Sequence, residues 1–100
     1  MPIDPLEEFI DEGIRQAEAK GYHPNEFIRM RRDHNTVPAI EQLVKSGQVQ
    51  SGFIRFQKLC ILEWSIEEAV RKFPDKFSGD ARACAEFRLN NISDKALKTR

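Results

Sequence analysis

The sequence predicts an all-α fold, a compact bundle of about five to six short helices. Three observations carry that expectation. Apolar residues recur at three- and four-residue spacing through most of the 100-residue chain, which is the helical period. Strong start and stop residues divide the chain into segments of helix length. Alternating apolar and polar runs are missing, as are the Asn-Gly and Asp-Gly pairs that turn hairpins.

The elements follow from their punctuation. Asp4 is placed to cap a first helix, with Pro5 at its first position and Glu7 set to reach back in a capping box. That helix is expected to run to Lys20 and to stop at Gly21, the residue best suited to left-handed backbone. Pro24 opens a second helix that Asn35 closes. Thr36, with Pro38 in the first turn, caps a third that ends at Gly47. Ser51 caps a fourth helix reaching Cys60. Ser65 and Glu68 form another capping box for a fifth, which ends at Phe73 because the residue before Pro74 avoids helical backbone. A sixth starts at Ser78-Gly79-Asp80 and is expected to stop at Asn90-Asn91. The domain is thus expected to span residues 1–92, with 93–100 as a polar, flexible tail.

Composition narrows the function classes. The apolar fraction of 40% and charged fraction of 32% describe a single globular domain with a charge-dense surface. Sixteen basic residues balance sixteen acidic ones, so the net charge is zero. Proteins that live on nucleic acid carry a positive excess, because phosphate neutralisation supplies much of their affinity. Direct DNA binding is disfavoured on that ground. No apolar run is long enough for a membrane span, and the acidic start MPIDPLEEF has neither the basic nor the apolar region of a signal peptide. A cytoplasmic protein is expected, with Cys60 and Cys84 as buried free thiols and a disulfide as the alternative.

The first helix has two chemically opposite faces. Leu6, Phe9, Ile10, Gly13, Ile14 and Ala17 share one side. Asp4, Glu7, Glu8, Asp11, Glu12 and Glu18 share the other, with Arg15 the only base among them. Charged helix faces are most often simply solvated, and early acids also complement the helix dipole. The sharper reading is a docking strip that imitates a run of phosphates and occupies a lysine- or arginine-lined groove. Gly13, central on the apolar side, would let another helix approach closely.

On the second helix Arg31 falls between Phe27 and Ile28, on the apolar side, so it needs a carboxylate or carbonyl partner within the domain. Arg29 and Arg32 point elsewhere and are free to meet a partner. The corner Asp33-His34-Asn35-Thr36 joins two helices, and such corners carry binding residues out of proportion to their length. Arg32, Asp33, His34 and Asn35 are contact candidates; Asn35 also reads as a plain helix stop.

Catalytic chemistry has no visible carrier. There is no glycine-rich phosphate loop, no nucleophile elbow, and no close Cys or His pair of the kind zinc sites use among His23, His34, Cys60 and Cys84. Phe53, Phe56, Leu59 and Cys60 form one helical stripe that reads as core rather than as a stacking platform. Trp64, just before the cap serine, is expected to pack on the following helix.

The run Gly21-Tyr22-His23-Pro24-Asn25-Glu26-Phe27-Ile28-Arg29-Met30, the later Ser51-Gly52-Phe53, and Leu62 through Trp64-Ser65-Ile66-Glu67 to Val70 resemble a helical module of bacterial and mobile-element proteins associated with restriction-type nucleases. The resemblance covers roughly residues 21–89. The chain departs from it in having Asn35-Thr36 where the module tends to carry paired glycines, and in lacking a nuclease portion. In overall character the chain also resembles small phage-borne anti-CRISPR proteins that block the type I-F surveillance complex. These resemblances imply a phage or mobile-element inhibitor in the host cytoplasm, non-catalytic and cofactor-free. It would be a monomer that binds a bacterial protein or ribonucleoprotein complex and excludes target DNA. Two alternatives stand beside it. One is a DNA-binding or accessory module of restriction systems using Arg29, Arg32 and Lys45; the other is a homodimer burying the Gly13 face.

Overall fold

In the computed structural model the backbone is described for residues 4–45 and 51–98 and the side chains for 4–45 and 53–90. Six α-helices follow one another: α1 (Pro5–Ala19), α2 (Asn25–His34), α3 (Thr36–Val44), α4 (Ser51–Lys58), α5 (Ile66–Lys72) and α6 (Gly79–Lys98). Two short 3-10 turns, Leu62–Trp64 and Pro74–Lys76, bracket α5. Among the described residues there is no strand. The radius of gyration is 13.1 Å, the value a compact domain of this size should have.

Capping residues set most of the boundaries. Asp4 accepts the Leu6 N–H at 2.9 Å, Ser65 accepts from Glu68 N–H at 3.2 Å, and Ser78 accepts from Ala81 N–H at 3.1 Å. The end of α1 is a Schellman motif: Gly21 sits at φ 90°, its N–H bonds Glu18 O, and Tyr22 N–H bonds Ala17 O. The end of α4 repeats that geometry with Cys60 at φ 61°, where Cys60 N–H bonds Gln57 O and Ile61 N–H bonds Phe56 O. Cys60 is consequently exposed and Cys84 half-buried, both as free thiols, which corrects the expectation that they are buried.

Three further expectations are corrected. The sixth helix runs through Asn90-Asn91 to Lys98 instead of stopping at the asparagines. Asparagine costs a helix interior only a few tenths of a kcal/mol, and no glycine or proline follows to stop the chain. The third helix ends at Val44; Gly47, its expected stop, lies outside the described residues. Trp64 belongs to a 3-10 turn and packs back on α1, its ring 5.1 Å from that of Phe9.

The core gathers one face from each of α1, α3, α5 and α6: Leu6, Ile10, Ile40, Val44, Ala69, Val70, Ala81 and Ala85 are essentially inaccessible to solvent. Small alanines on α5 and α6 let those helices lie close, while Leu6 and Ile40 fill the space between layers. Gly13 does permit a close approach, and the partner is internal. A Cβ there would stand 2.7 Å from the Trp64 carbonyl oxygen, so the glycine face is already covered by this chain's own turn and does not offer itself to a second copy.

One cap crosses between elements. The Glu41 carboxylate on α3 accepts the Ser78 N–H at 2.7 Å and the Ser78 hydroxyl at 3.1 Å, tying α3 to the start of α6. The Ser78 amide, with help from Lys45, holds the Glu41 carboxyl below the ordinary glutamate range. A folded-state pKa below the unfolded one contributes stability above the unfolded value, and that contribution is lost as pH falls through and below the glutamate range. Wild-type protein should therefore lose stability over that acidic window, and Glu41→Gln should lose less there while starting about 1 kcal/mol lower at neutral pH. Urea midpoints measured across the window check both slopes.

Candidate functional site

The residues singled out by sequence meet around Arg31. This side chain leaves α2 on its core-facing side, is only 19% exposed, and spans three helices. Its Nη2 donates to Glu7 Oε1 and its Nη1 to Asp11 Oδ1 at 2.7 Å, both on α1, while its Nε donates to Thr36 Oγ1 at 2.9 Å on α3. The Thr36 hydroxyl in turn donates a hydrogen bond to Glu7 Oε1 at 2.7 Å, closing the network. Each of the three guanidinium nitrogens thus donates to a carboxylate or hydroxyl, the geometry in which arginine excels. Burial works against the Arg31 charge, and Glu7 and Asp11 together override it and hold its pKa above the ordinary value.

This network changes the meaning of the α1 acidic face. Glu7 does not reach back to the Asp4 amide as a capping box requires; it faces Arg31 and Thr36. Asp11 shares the same guanidinium. Glu12 accepts from Gln16 at 2.8 Å and pairs with Arg15 at 2.6 Å, and these, the amide first, draw its carboxyl below the ordinary range. Glu18 faces His23 at 3.4 Å. Glu8 is exposed, and among the described residues no hydrogen bond or ion pair engages its carboxylate. With Asp4 paired to Lys76 at 3.3 Å, the strip of six acids is mostly engaged by the chain's own bases, and Glu8 is its one uncommitted member.

The α2–α3 corner is the other product of the network. One residue, Asn35, joins the two helices, at φ 76° and ψ 168°. That region is populated almost only by glycine and costs a non-glycine residue roughly 1–3 kcal/mol. Both of its peptide groups are nonetheless used: Asn35 N–H bonds Arg31 O at 2.8 Å, and Asn35 O accepts from Ala39 N–H at 3.2 Å. Thr36, immediately after it, is buried by its bonds to Arg31 and Glu7. The strained joint is pinned from both sides. Asn35→Gly should raise stability by about 1 kcal/mol, the relieved strain less the entropy that glycine adds to the unfolded chain. A higher urea midpoint at unchanged slope is the check.

Beside the joint, Arg29, Arg32, Asp33 and His34 are all exposed. Arg32 and Asp33 touch only each other, at 3.4 Å, a geometry too loose and too wet to fix either side chain. The sequence candidates therefore divide into three sets. Glu7, Asp11 and Asn35 build the corner, Arg29, Arg32, Asp33 and His34 are displayed beside it, and Glu8, Glu12 and Glu18 lie along α1, the last two engaged by Arg15 and His23. Chemically, the displayed set offers hydrogen-bond donors and acceptors of both charges on a rigid edge. No serine or cysteine among these residues is placed as a nucleophile, and among the described residues no three of His, Cys, Asp and Glu form a group that could hold a metal ion.

Sequence reasoning passed over a second polar centre. Glu67 on α5 is 1% exposed and Arg88 on α6 is 7% exposed, and Arg88 Nη1 donates to Glu67 Oε2 at 2.9 Å. Arg88 also reaches the Leu43 carbonyl at 3.3 Å. The signal was present in the spacing: Arg88 lies three residues past Ala85 and seven past Ala81, on the same apolar stripe.

No protein-family model, no curated protein and no solved structure matches the chain. No described helix is long and apolar enough to cross a membrane.

Proposed function

We propose that the chain is a binding protein rather than an enzyme, and that it docks on a larger bacterial assembly through the α2–α3 corner. The carrying observation is the glycine-like backbone of Asn35, held in place by Arg31, Glu7, Asp11 and Thr36 while the residues beside it stay exposed. Backbone strain of this kind gathers at functional sites, where it holds side chains in a fixed pose before the partner arrives. Arg29, Arg32, Asp33 and His34 would make the contacts. The acidic strip of α1 plays the lesser part, through Glu8 and the outer edges of Asp11 and Glu12.

The partner class we favour is a ribonucleoprotein defence complex of the host cytoplasm, with exclusion of target DNA as the outcome, in the manner of the type I-F anti-CRISPR inhibitors that the chain resembles. The resemblance to the restriction-associated module is supported at one point, since that module tends to carry glycines where Asn35 here takes a backbone that favours glycine. The test is to mix the purified protein with a type I-F surveillance complex, then follow co-elution and binding of target duplex. The proposal expects co-elution and loss of target binding. Absence of co-elution overturns the partner class. A mobility shift of DNA by the isolated protein at moderate salt would instead favour the DNA-binding reading through Arg29, Arg32 and Lys45.

A further inference from the structure

A cleft of about 90 Å³ lies between α1, α2, α4 and the Leu62–Trp64 turn. Five aromatic side chains line it, Tyr22, Phe27, Phe53, Phe56 and Trp64, with Ile14 and other aliphatic groups between them. The wall is predominantly apolar. Two of its rings already pack in the manner that suits a guest ring: Tyr22 and Phe56 meet edge to face, with centroids 6.2 Å apart and planes at 88°.

The wall offers nothing to a charged guest. Among its described lining residues there is no lysine, arginine or histidine to hold an anion. Of its two carboxylates, Glu67 is already neutralised by Arg88, and Glu26 is exposed to water. An ion brought into such a space loses its hydration and finds no opposite charge in return. Apolar surface gains in the same move, because the water it displaces was poorly bound.

We infer that this cleft is a binding site for a small neutral aromatic compound, one six-membered ring seated among Phe27, Phe56 and Trp64. The volume sets the size, since roughly 150 Å³ of enclosed apolar cavity holds a benzene ring. This cleft is smaller and partly open, so it seats a single ring with one edge in the mouth and refuses a fused pair. The wall sets the chemistry, since a guest ring meets several aromatic partners at once and each such pair adds to plain apolar burial. The site is separate from the docking corner and does not depend on it.

The chain has a single tryptophan, Trp64, so its emission reports the cleft directly. Toluene should change that emission saturably, with excitation outside its own absorption band. Benzoate and benzylamine carry the same ring with a charge and should bind about tenfold more weakly or worse. Methylcyclohexane, of similar size without the aromatic face, should bind about threefold more weakly or worse. Ile14→Phe narrows the cleft and should abolish toluene binding with the circular dichroism unchanged. Should that variant fail to fold, Phe56→Ala decides: it widens the cleft and should bind naphthalene, which the wild-type protein refuses. Absence of saturation by toluene overturns the inference, as does equal binding of the charged rings or of methylcyclohexane. So does full toluene binding by a folded Ile14→Phe, or naphthalene binding that Phe56→Ala leaves unchanged.

Discussion

Arg88→Met should destabilise the domain by about 3–5 kcal/mol, the largest loss expected of any single polar substitution here. The substitution keeps the length and apolar stem of the side chain, so α5 and α6 can still pack. It leaves Glu67 charged, 1% exposed and without its Arg88 partner, and it strips a donor from the Leu43 carbonyl. Small domains have a total stability of roughly 5–15 kcal/mol, so the variant should be partly unfolded at moderate temperature. Chemical denaturation of the single variant and of Arg88→Met/Glu67→Gln together checks the cause. The double variant should recover much of the loss, because the uncompensated charge, rather than the missing bond, is the main penalty. A loss below about 1 kcal/mol in the single variant would show that the pair is far wetter than its burial indicates.

Arg31→Met should cost about 2–3 kcal/mol, less than Arg88→Met because solvent screens the Glu7 and Asp11 carboxylates once the guanidinium has gone. The two acids are partly exposed, with side chains 38% and 50% accessible. The effect is nonetheless distributed over three helices, since Arg31 is what joins α1, α2 and α3. Hydrogen exchange should therefore quicken first at the α2–α3 corner, ahead of the α5–α6 core. Uniform acceleration throughout the chain would mean that the network supports global stability without any particular hold on the corner.

The fold was legible wherever the decisive interaction was local. Asp4, Ser65 and Ser78 cap helices through bonds to amides two or three residues away, and Gly21 stops α1 through bonds three and five residues long in sequence. Such contacts can be read from residue type and spacing alone. The 3-10 turns were not legible, nor was the destination of Trp64. Each depends on what the chain meets after folding back, as when the Trp64 backbone closes over the space left by Gly13.

The candidate site was half legible for a related reason. An arginine on an apolar face announces that it must be paired, and the Arg31 pair was anticipated on that argument. Its partners were not, because Glu7 and Asp11 lie 24 and 20 residues away and nothing in their own surroundings reserves them for Arg31. Read as a segment, α1 presents an uninterrupted acidic face; folded, two of its acids belong to the corner. Arg88 carries the same signal as Arg31, diluted by the alanines on either side of it, and Glu67 was absorbed into the capping pattern of Ser65 and Glu68. The strain at Asn35 could be placed but not foreseen, since asparagine ends helices in several conformations and only the short joint between α2 and α3 demands this one.

The central claim is that the displayed corner, rather than the acidic strip, makes contact with the partner. The most direct measurement compares two folded variants in one competition assay, which reads whether each displaces target duplex from a type I-F surveillance complex. The account predicts that the triple substitution Arg32→Ala, Asp33→Ala and His34→Ala raises the half-inhibitory concentration about tenfold or more, while Glu8→Lys leaves it within about twofold. Loss of inhibition in Glu8→Lys with full activity of the triple variant, or no inhibition by the wild-type protein at all, would contradict it.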